Sequence, residues 1–287
     1  MVSILSLCSG VGALDLAVAA HYGAEVRWVS ETDPEASQVL AARFPDVPNL
    51  GDLKTIEPTF CPDILVSGFP CGPVAPIGKQ KGPADERWVC DEIVELIAAL
   101  PQRPKRLVFE NVVGLLSNKN GETVRSFLWA LAELGFTLEW QVVQARDAEA
   151  PHRRSRVFVV GSYADDGQLQ RRRNHSFVEC PTAEERRARL AALLAPVVNS
   201  ASLDRSHDFD FGKFEPAIKK WERALGVPAP LPIFNDRLSE YFSEWLMGFP
   251  GWVTGALEDQ KSRFRLTGNA VVPQQALLAL SILDGDS

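Results

Sequence analysis

Between residues 4 and 161 short apolar runs alternate with longer amphipathic stretches, without an internal sequence repeat. The runs Ile4 to Leu7, Val26 to Ser30, Ile64 to Ser67, Leu107 to Phe109, Leu138 to Gln144 and Val157 to Gly161 have the length and composition of strands. The stretches Ala13 to His21, Pro34 to Phe44, Asp91 to Leu100 and Glu122 to Leu134 read as helices, the last closed by Gly135. Such alternation predicts an α/β fold: a doubly wound parallel sheet, right-handed crossovers, helices on both faces, and ligands at the carboxyl ends of the strands. After Gly161 the rhythm stops. A sheet domain over 1–163, a smaller domain over 164–260 and a C-terminal segment over 261–287 that docks back on the first are expected, the tail carrying a strand-like segment and a helix between Phe264 and Leu283.

Composition narrows the function classes. Hydrophobic residues make up 46% and charged residues 23%, the usage of a folded soluble chain. The apolar start lacks a basic leader, is broken by glycines and carries Asp15, so it reads as neither signal peptide nor membrane span, and a cytoplasmic setting is expected. The five cysteines, at 8, 61, 71, 90 and 180, contain no Cys-x-x-Cys pair and no Cys/His cluster at zinc spacing, which argues against a disulfide scaffold and against a metal site. A formal charge of −7 argues against a protein that coats nucleic acid, leaving only a local basic surface for that purpose. From Arg146 to Arg189 there are ten arginines against seven carboxylates, and Arg171 to Arg173 are candidates for phosphate or major-groove contacts or for a solvated run.

The first run leads into Ser9-Gly10-Val11-Gly12-Ala13, a glycine turn opening a helix, which suits either an anionic ligand or an ordinary tight connection. The second ends in Ser30-Glu31-Thr32-Asp33; Glu31 is placed for ribose hydroxyls, while Asp33 suits the N-cap of the Pro34 helix. Together they indicate an adenosine-containing cofactor, dinucleotide or S-adenosylmethionine. The third enters Gly68-Phe69-Pro70-Cys71-Gly72-Pro73, a rigid turn that presents one thiol as a candidate nucleophile. The fourth carries Glu110 at its end, followed by Asn111, a carboxylate beside that thiol. Before Val157, alternation sets Arg154 and Arg156 on one side of the chain, as a fork for phosphate or a base carbonyl or as a solvated basic turn.

The ordered set SLCSGVGALDLA, SETD, GDL, SGFPCGPVAPIGKQKG, ENVVGLL, PHRRSRVFVVG, EWLMGFPGW and LTGNAVVP resembles the DNA (cytosine-5) methyltransferase family, over nearly all of the chain except 164–238. The resemblance implies an S-adenosylmethionine-dependent, Rossmann-like sheet and a target-recognition domain, with double-stranded DNA as partner and the target cytosine flipped into the pocket of a monomer. It implies that Cys71 attacks C6, that Glu110 hydrogen-bonds or protonates N3, and that Arg156 contacts O2 with Arg154 in support. On the cofactor side it implies Gly10 and Gly12 at the methionine end, Glu31 at the ribose and Asp52 at the adenine amino group. It implies further that Asn269 falls near the junction of cofactor and base and that Ser9, Leu14, Thr32, Leu53, Pro70 and Ala270 line the same cleft.

The chain departs from the family at several positions. Gly72 stands where Gln is usual, Ala75 for Ser, Ser6 and Cys8 for Asp and Phe, and His152 for Gln. A missing side chain at 72 is expected to leave a roomier pocket, which raises a bulkier sulfonium donor as an alternative to methyl. An RNA substrate and a non-catalytic DNA-binding relative are also compatible with the resemblance. A nicotinamide-dependent oxidoreductase shares only the glycine turn and Glu31.

Overall fold

The computed structural model describes residues 1–74, 81–163, 181–195 and 209–285. Arg171 to Arg173, Ala75 and Cys180 lie outside the described residues. The expected strands and helices form with their ends moved by a few residues: β1 (Val2–Leu7), α1 (Ala13–Tyr22), β2 (Ala24–Ser30), α2 (Pro34–Arg43), β3 (Ile64–Ser67), α3 (Cys90–Ala99), β4 (Arg106–Val112), a short α4 (Gly114–Ser117), α5 (Glu122–Glu133), β5 (Phe136–Gln144) and β6 (Ser155–Tyr163). Then come α6 (Ala183–Leu194), α7 (Glu215–Leu225), the hairpin strands β7 (Ile233–Phe234) and β8 (Arg237–Leu238), α8 (Glu240–Leu246), α9 (Gln260–Asn269) and α10 (Pro273–Leu283).

The six-stranded sheet has the order β2-β1-β3-β4-β6-β5. Alternation along its central strands sorts side chains to two faces. Ile4, Val66, Val108, Phe158 and Val160 pack beneath α1, α6 and α10, whereas Leu5, Leu65, Leu107, Phe109, Val157 and Val159 pack beneath α3 and α5. β1 to β4 are mutually parallel, as the alternation predicts. β6 runs antiparallel to both β4 and β5. The reason lies in the connection: Ala145 to Arg154 hold one 3₁₀ turn, too short for the dozen or more residues of a parallel crossover. The reversal matters for the site, because it brings the start of β6 to the edge where β1 to β4 end; Val112 pairs with Arg156.

The C-terminal half closes on this sheet. Helix α10 lies against α1 and β5, and its buried Gln275 donates to the carbonyls of Val143 and Arg154 at 2.8 and 3.0 Å. The strand-like segment expected after Phe264 is instead α9, joined to α10 by extended residues at 270–272. Helix α6 packs on α1, with Leu190 and Leu194 in the same apolar cluster. Three indole N–H groups satisfy interior carbonyls: Trp221 to Trp245 at 2.9 Å, Trp245 to Val227 at 3.0 Å and Trp252 to Val11 at 2.7 Å. The last places the EWLMGFPGW motif directly under the glycine turn.

Candidate active site

The glycine turn is built for close approach. Gly10 and Gly12 have φ of +56° and +78°, values an L side chain rarely adopts. A β-carbon on Gly12 would lie 2.6 Å from the Phe44 ring, whereas one on Gly10 would meet nothing within 4 Å, so the open side of the turn is at Gly10. Ser9 ties β1 to β2 through paired bonds with Ser30, N–H to carbonyl and N–H to Oγ, both 3.2 Å. Glu31 accepts from the Gly10 amide at 2.7 Å on Oε2 and from the Thr32 and Asp33 amides at 2.9 and 2.8 Å on Oε1. One lone pair of Oε2 is left for a further donor. Asp33 caps α2 through the Ala36 amide and binds Arg265 of α9 at 2.6 and 3.1 Å.

Asp52 is exposed and caps a 3₁₀ turn by accepting from Lys54 at 3.0 Å. Its loop is held to the end of β2 by Asn49, a residue missed in the sequence: Oδ1 accepts from the Glu31 and Gly51 amides, both at 3.0 Å, and Nδ2 donates to the Glu31 carbonyl. Leu14 and Leu53 are core residues on opposite faces of the sheet, each 7% exposed, and Thr32 is exposed. Gly10, Glu31 and Asp52 thus stand at the ends of β1 and β2 and on the adjoining loop, an open turn followed by two carboxylates. That donor set suits an adenosine-containing cofactor carrying a cationic sulfur.

The other half of the edge belongs to β3, β4 and β6. Cys71 is exposed just past β3, while Phe69 beneath it is buried among Trp88, Phe109 and Phe127. Asn111 locks this turn to β4, donating to the Phe69 carbonyl at 3.0 Å and accepting from the Val112 amide at 2.8 Å. Glu110 and Arg156 form an ion pair at 2.8 Å across β4 and β6, both side chains nearly buried. Burial pushes the Glu110 carboxyl above its usual range in spite of Arg156 and Arg154, so its protonated form is favoured more than for an ordinary glutamate.

Arg154 and Arg156 do not form a fork. Arg154 turns to the C-terminal segment, donating to the carbonyls of Gly268 at 2.9 Å and Ala270 at 2.7 Å, and thereby positions Asn269, which is exposed at the end of α9. Burial and the neighbouring Arg156 draw Arg154 down to about 10, against the pull of Glu110 and Cys71. His152 is bonded to the Leu246 carbonyl at 3.1 Å, and burial lowers its basicity. Among the described residues, the space a side chain at 72 would take is occupied by the Arg87 guanidinium rather than left open. Among the described residues no group of three His, Cys, Asp or Glu is placed to hold a metal ion.

A buried hub also escaped the sequence. Glu244 on α8 accepts from the amides of Gly251 and Thr254 at 2.9 and 3.2 Å, from the Thr254 hydroxyl at 2.6 Å, and from the Val253 amide. Arg43 stacks over Trp252 and donates to the carbonyls of Trp252 and Gly251 at 2.8 and 2.9 Å. These bonds hold the loop that supports Val11.

The family model for C-5 cytosine-specific DNA methylase matches residues 2–211. The type II methyltransferase M.BsuFI of Bacillus subtilis is 36% identical over 168 residues, 58% of this chain and 40% of that protein. M1.ScrFI of Lactococcus lactis subsp. cremoris is 32% identical over 201 residues, 68% of this chain and 49% of that one. The matches span about half or less of these relatives. Among solved structures, S. pombe Dnmt2 superposes over 100% of both chains with a TM-score of 0.62 at 16% identity, and a putative DNA modification methyltransferase from an E. coli prophage with 0.59 at 18%, which is a likeness of fold. With a family match over most of its length, the chain belongs to the C-5 cytosine-specific DNA methylases.

Proposed function

We propose that this chain transfers a methyl group to C5 of cytosine in double-stranded DNA, through a covalent Cys71 adduct on a flipped-out base. The observation that carries the reading is the meeting of Cys71, Glu110 and Arg156 at the ends of adjoining strands, beside the open glycine turn and Glu31 on the same sheet edge. Gly10, Glu31, Asp52 and Asn269 would hold S-adenosylmethionine, which would supply an electrophilic methyl group. The thiolate of Cys71 adds to C6, and the electron pair released from the C5–C6 double bond makes C5 nucleophilic while Glu110 gives a proton to N3. Once C5 carries the methyl group, with S-adenosylhomocysteine as the by-product, a water molecule takes the C5 proton, the C5–H electron pair restores the double bond as the sulfur–C6 bond breaks and Cys71 leaves as thiolate, and the N3 proton returns to Glu110. Arg156 keeps Glu110 in place and donates toward O2; Arg154 holds the segment bearing Asn269. With Arg87 over Gly72, ordinary S-adenosylmethionine is the preferred donor.

The test is nucleoside mass spectrometry of DNA from cells expressing the chain or Cys71→Ala. 5-Methylcytosine with the former alone is expected. A heavier cytosine adduct would contradict the donor, and methylated RNA with unmodified DNA would contradict the substrate. Unchanged product with Cys71→Ala would end the nucleophile assignment.

A further inference from the structure

Gly72 follows the proposed nucleophile, and the volume it vacates is filled from elsewhere in the chain. A β-carbon built on Gly72 would lie 2.5 Å from Nη1 of Arg87, 2.7 Å from its Cζ and 3.0 Å from Nη2. The plane of the guanidinium rests on the glycine rather than its tip brushing past. The placement is held from two sides. Asp85 takes Nε at 2.9 Å and Nη2 at 2.8 Å in a bidentate pair and accepts the Arg87 amide at 3.1 Å, leaving Nη1 turned toward Gly72. Next in sequence, Trp88 is buried edge-on to Phe69, and Gly82 donates to the Pro73 carbonyl at 2.9 Å, which ties this segment to the Cys71 turn.

The pairing runs against solvent exposure. The Asp85 side chain is only 8% exposed while that of Arg87 is 57% exposed, so the acid is the fixed member and the base is mounted on it. The pair holds Asp85 far below the carboxylate range, and Arg87 is held above its usual value chiefly by Asp85, with Cys71 adding to the attraction.

We propose that Arg87 is a positioning residue for the Cys71 reaction: its guanidinium supplies the polar wall that position 72 lacks, and a side chain at 72 would displace the guanidinium from that place. The catalytic meaning of this placement rests on the reading of Cys71 as nucleophile; the placement itself does not. It inverts a simple expectation. Installing the family's glutamine at 72 harms this enzyme while Arg87 is present, and helps once Arg87 is gone.

The test compares Arg87→Ala, Gly72→Gln and the double variant in the full chain. The first readout needs neither DNA nor cofactor: alkylation of Cys71 by anionic iodoacetate and by neutral iodoacetamide, followed by peptide mass. The ratio of the two rates cancels the thiolate fraction and reports a cation beside the sulfur. It is expected to fall about threefold in Arg87→Ala and to fall in Gly72→Gln as the guanidinium is displaced. The second readout is the rate of covalent trapping on duplex DNA containing 5-fluorocytosine. Each single variant is expected to lose about tenfold, and the double variant to recover most of it because the glutamine refills the vacated wall. An unmoved alkylation ratio in Arg87→Ala, or trapping losses that multiply in the double variant, would overturn the proposal. Product formation by Cys71→Ser would instead overturn the nucleophile reading, while the alkylation ratio would still decide where Arg87 sits.

Discussion

Arg154 bonds carbonyls 114 and 116 residues further along the chain, and its replacement gives a sharp check on how the site is held. Its two bonds, to the carbonyls of Gly268 and Ala270, are made by a largely buried guanidinium that stays charged at neutral pH. A hydrogen bond to a charged group contributes about 1.5–3 kcal/mol. Lysine keeps the charge near Glu110 but is a single-point donor that cannot span both carbonyls, so Arg154→Lys is expected to lose one bond, about 1.5–3 kcal/mol. Where that loss frees the 266–275 segment locally, amide exchange there should accelerate roughly 10- to 150-fold. Methionine at 154, which removes both bonds, should give a larger effect and a weakened cofactor affinity. Arg156→Lys is the control: its partner is Glu110, so exchange in 266–275 should stay near wild type while turnover falls. Exchange in Arg154→Lys within twofold of wild type would refute the clamp, because the segment would then be held by its apolar contacts alone.

Three further outcomes follow from buried carboxyls. Glu110→Gln cannot deliver a proton to the base and should slow methyl transfer about 10²- to 10⁴-fold with DNA affinity unchanged in a binding titration; a normal rate would require another acid. Asp284 accepts from buried His21 at 2.8 Å and pairs with Arg106 at 3.3 Å, and these partners outweigh burial to hold its carboxyl below the usual range. Its stabilisation is therefore present above the unfolded value near 3.9 and lost as pH falls through the lower folded value, so the Tm deficit of Asp284→Asn should be full at pH 7 and shrink below about pH 4. Burial in the first turn of α1 pushes Asp15 up to about 7, with Ser6 only partly offsetting. The folded state thus binds its proton more tightly than the unfolded chain and stability declines as pH rises from about 4 to 7, so the Tm of Asp15→Asn relative to wild type should climb across that window and level off above it; a pH-independent difference would refute this.

The parts of this molecule legible in the sequence are those set by neighbours along the chain. Strand ends, the glycine turn, the Asp33 cap and the Pro-Cys turn are each written in a few consecutive residues, and alternation within β3 and β4 sufficed to put Cys71 and Glu110 at one edge. Direction was not legible at β6, because alternation fixes faces and says nothing of parallel or antiparallel pairing; only the shortness of the 145–154 connection carried that signal. Arg154 looked like a base-binding fork because its partners are backbone carbonyls, which no sequence pattern advertises. Gly72 was read as empty space for the same reason: deletion of a side chain is visible in one residue, whereas its refilling by Arg87 is a contact between residues well separated in sequence. Glu244 and Asn49 were missed because each serves backbone amides of a turn.

The long-range bonds explain why a site at the edge of one sheet needs the far end of the chain. On the cofactor half, Trp252 and Arg265 of the C-terminal segments bond Val11 and Asp33, the residues flanking the glycine turn and Glu31. On the base half, Gln275 and the Gly268 and Ala270 carbonyls bond the backbone and side chain of Arg154, two residues from Arg156. One short stretch, α9 with the start of α10, therefore touches both halves, and it does so through hydrogen bonds whose geometry is less forgiving than apolar packing. Within the sheet the two halves are linked through β3, since β1 and β4 are not neighbours. The bonds from α9 and the start of α10 add a second tie between the glycine turn and the Glu110–Arg156 pair, whose separation matters for the transfer proposed above.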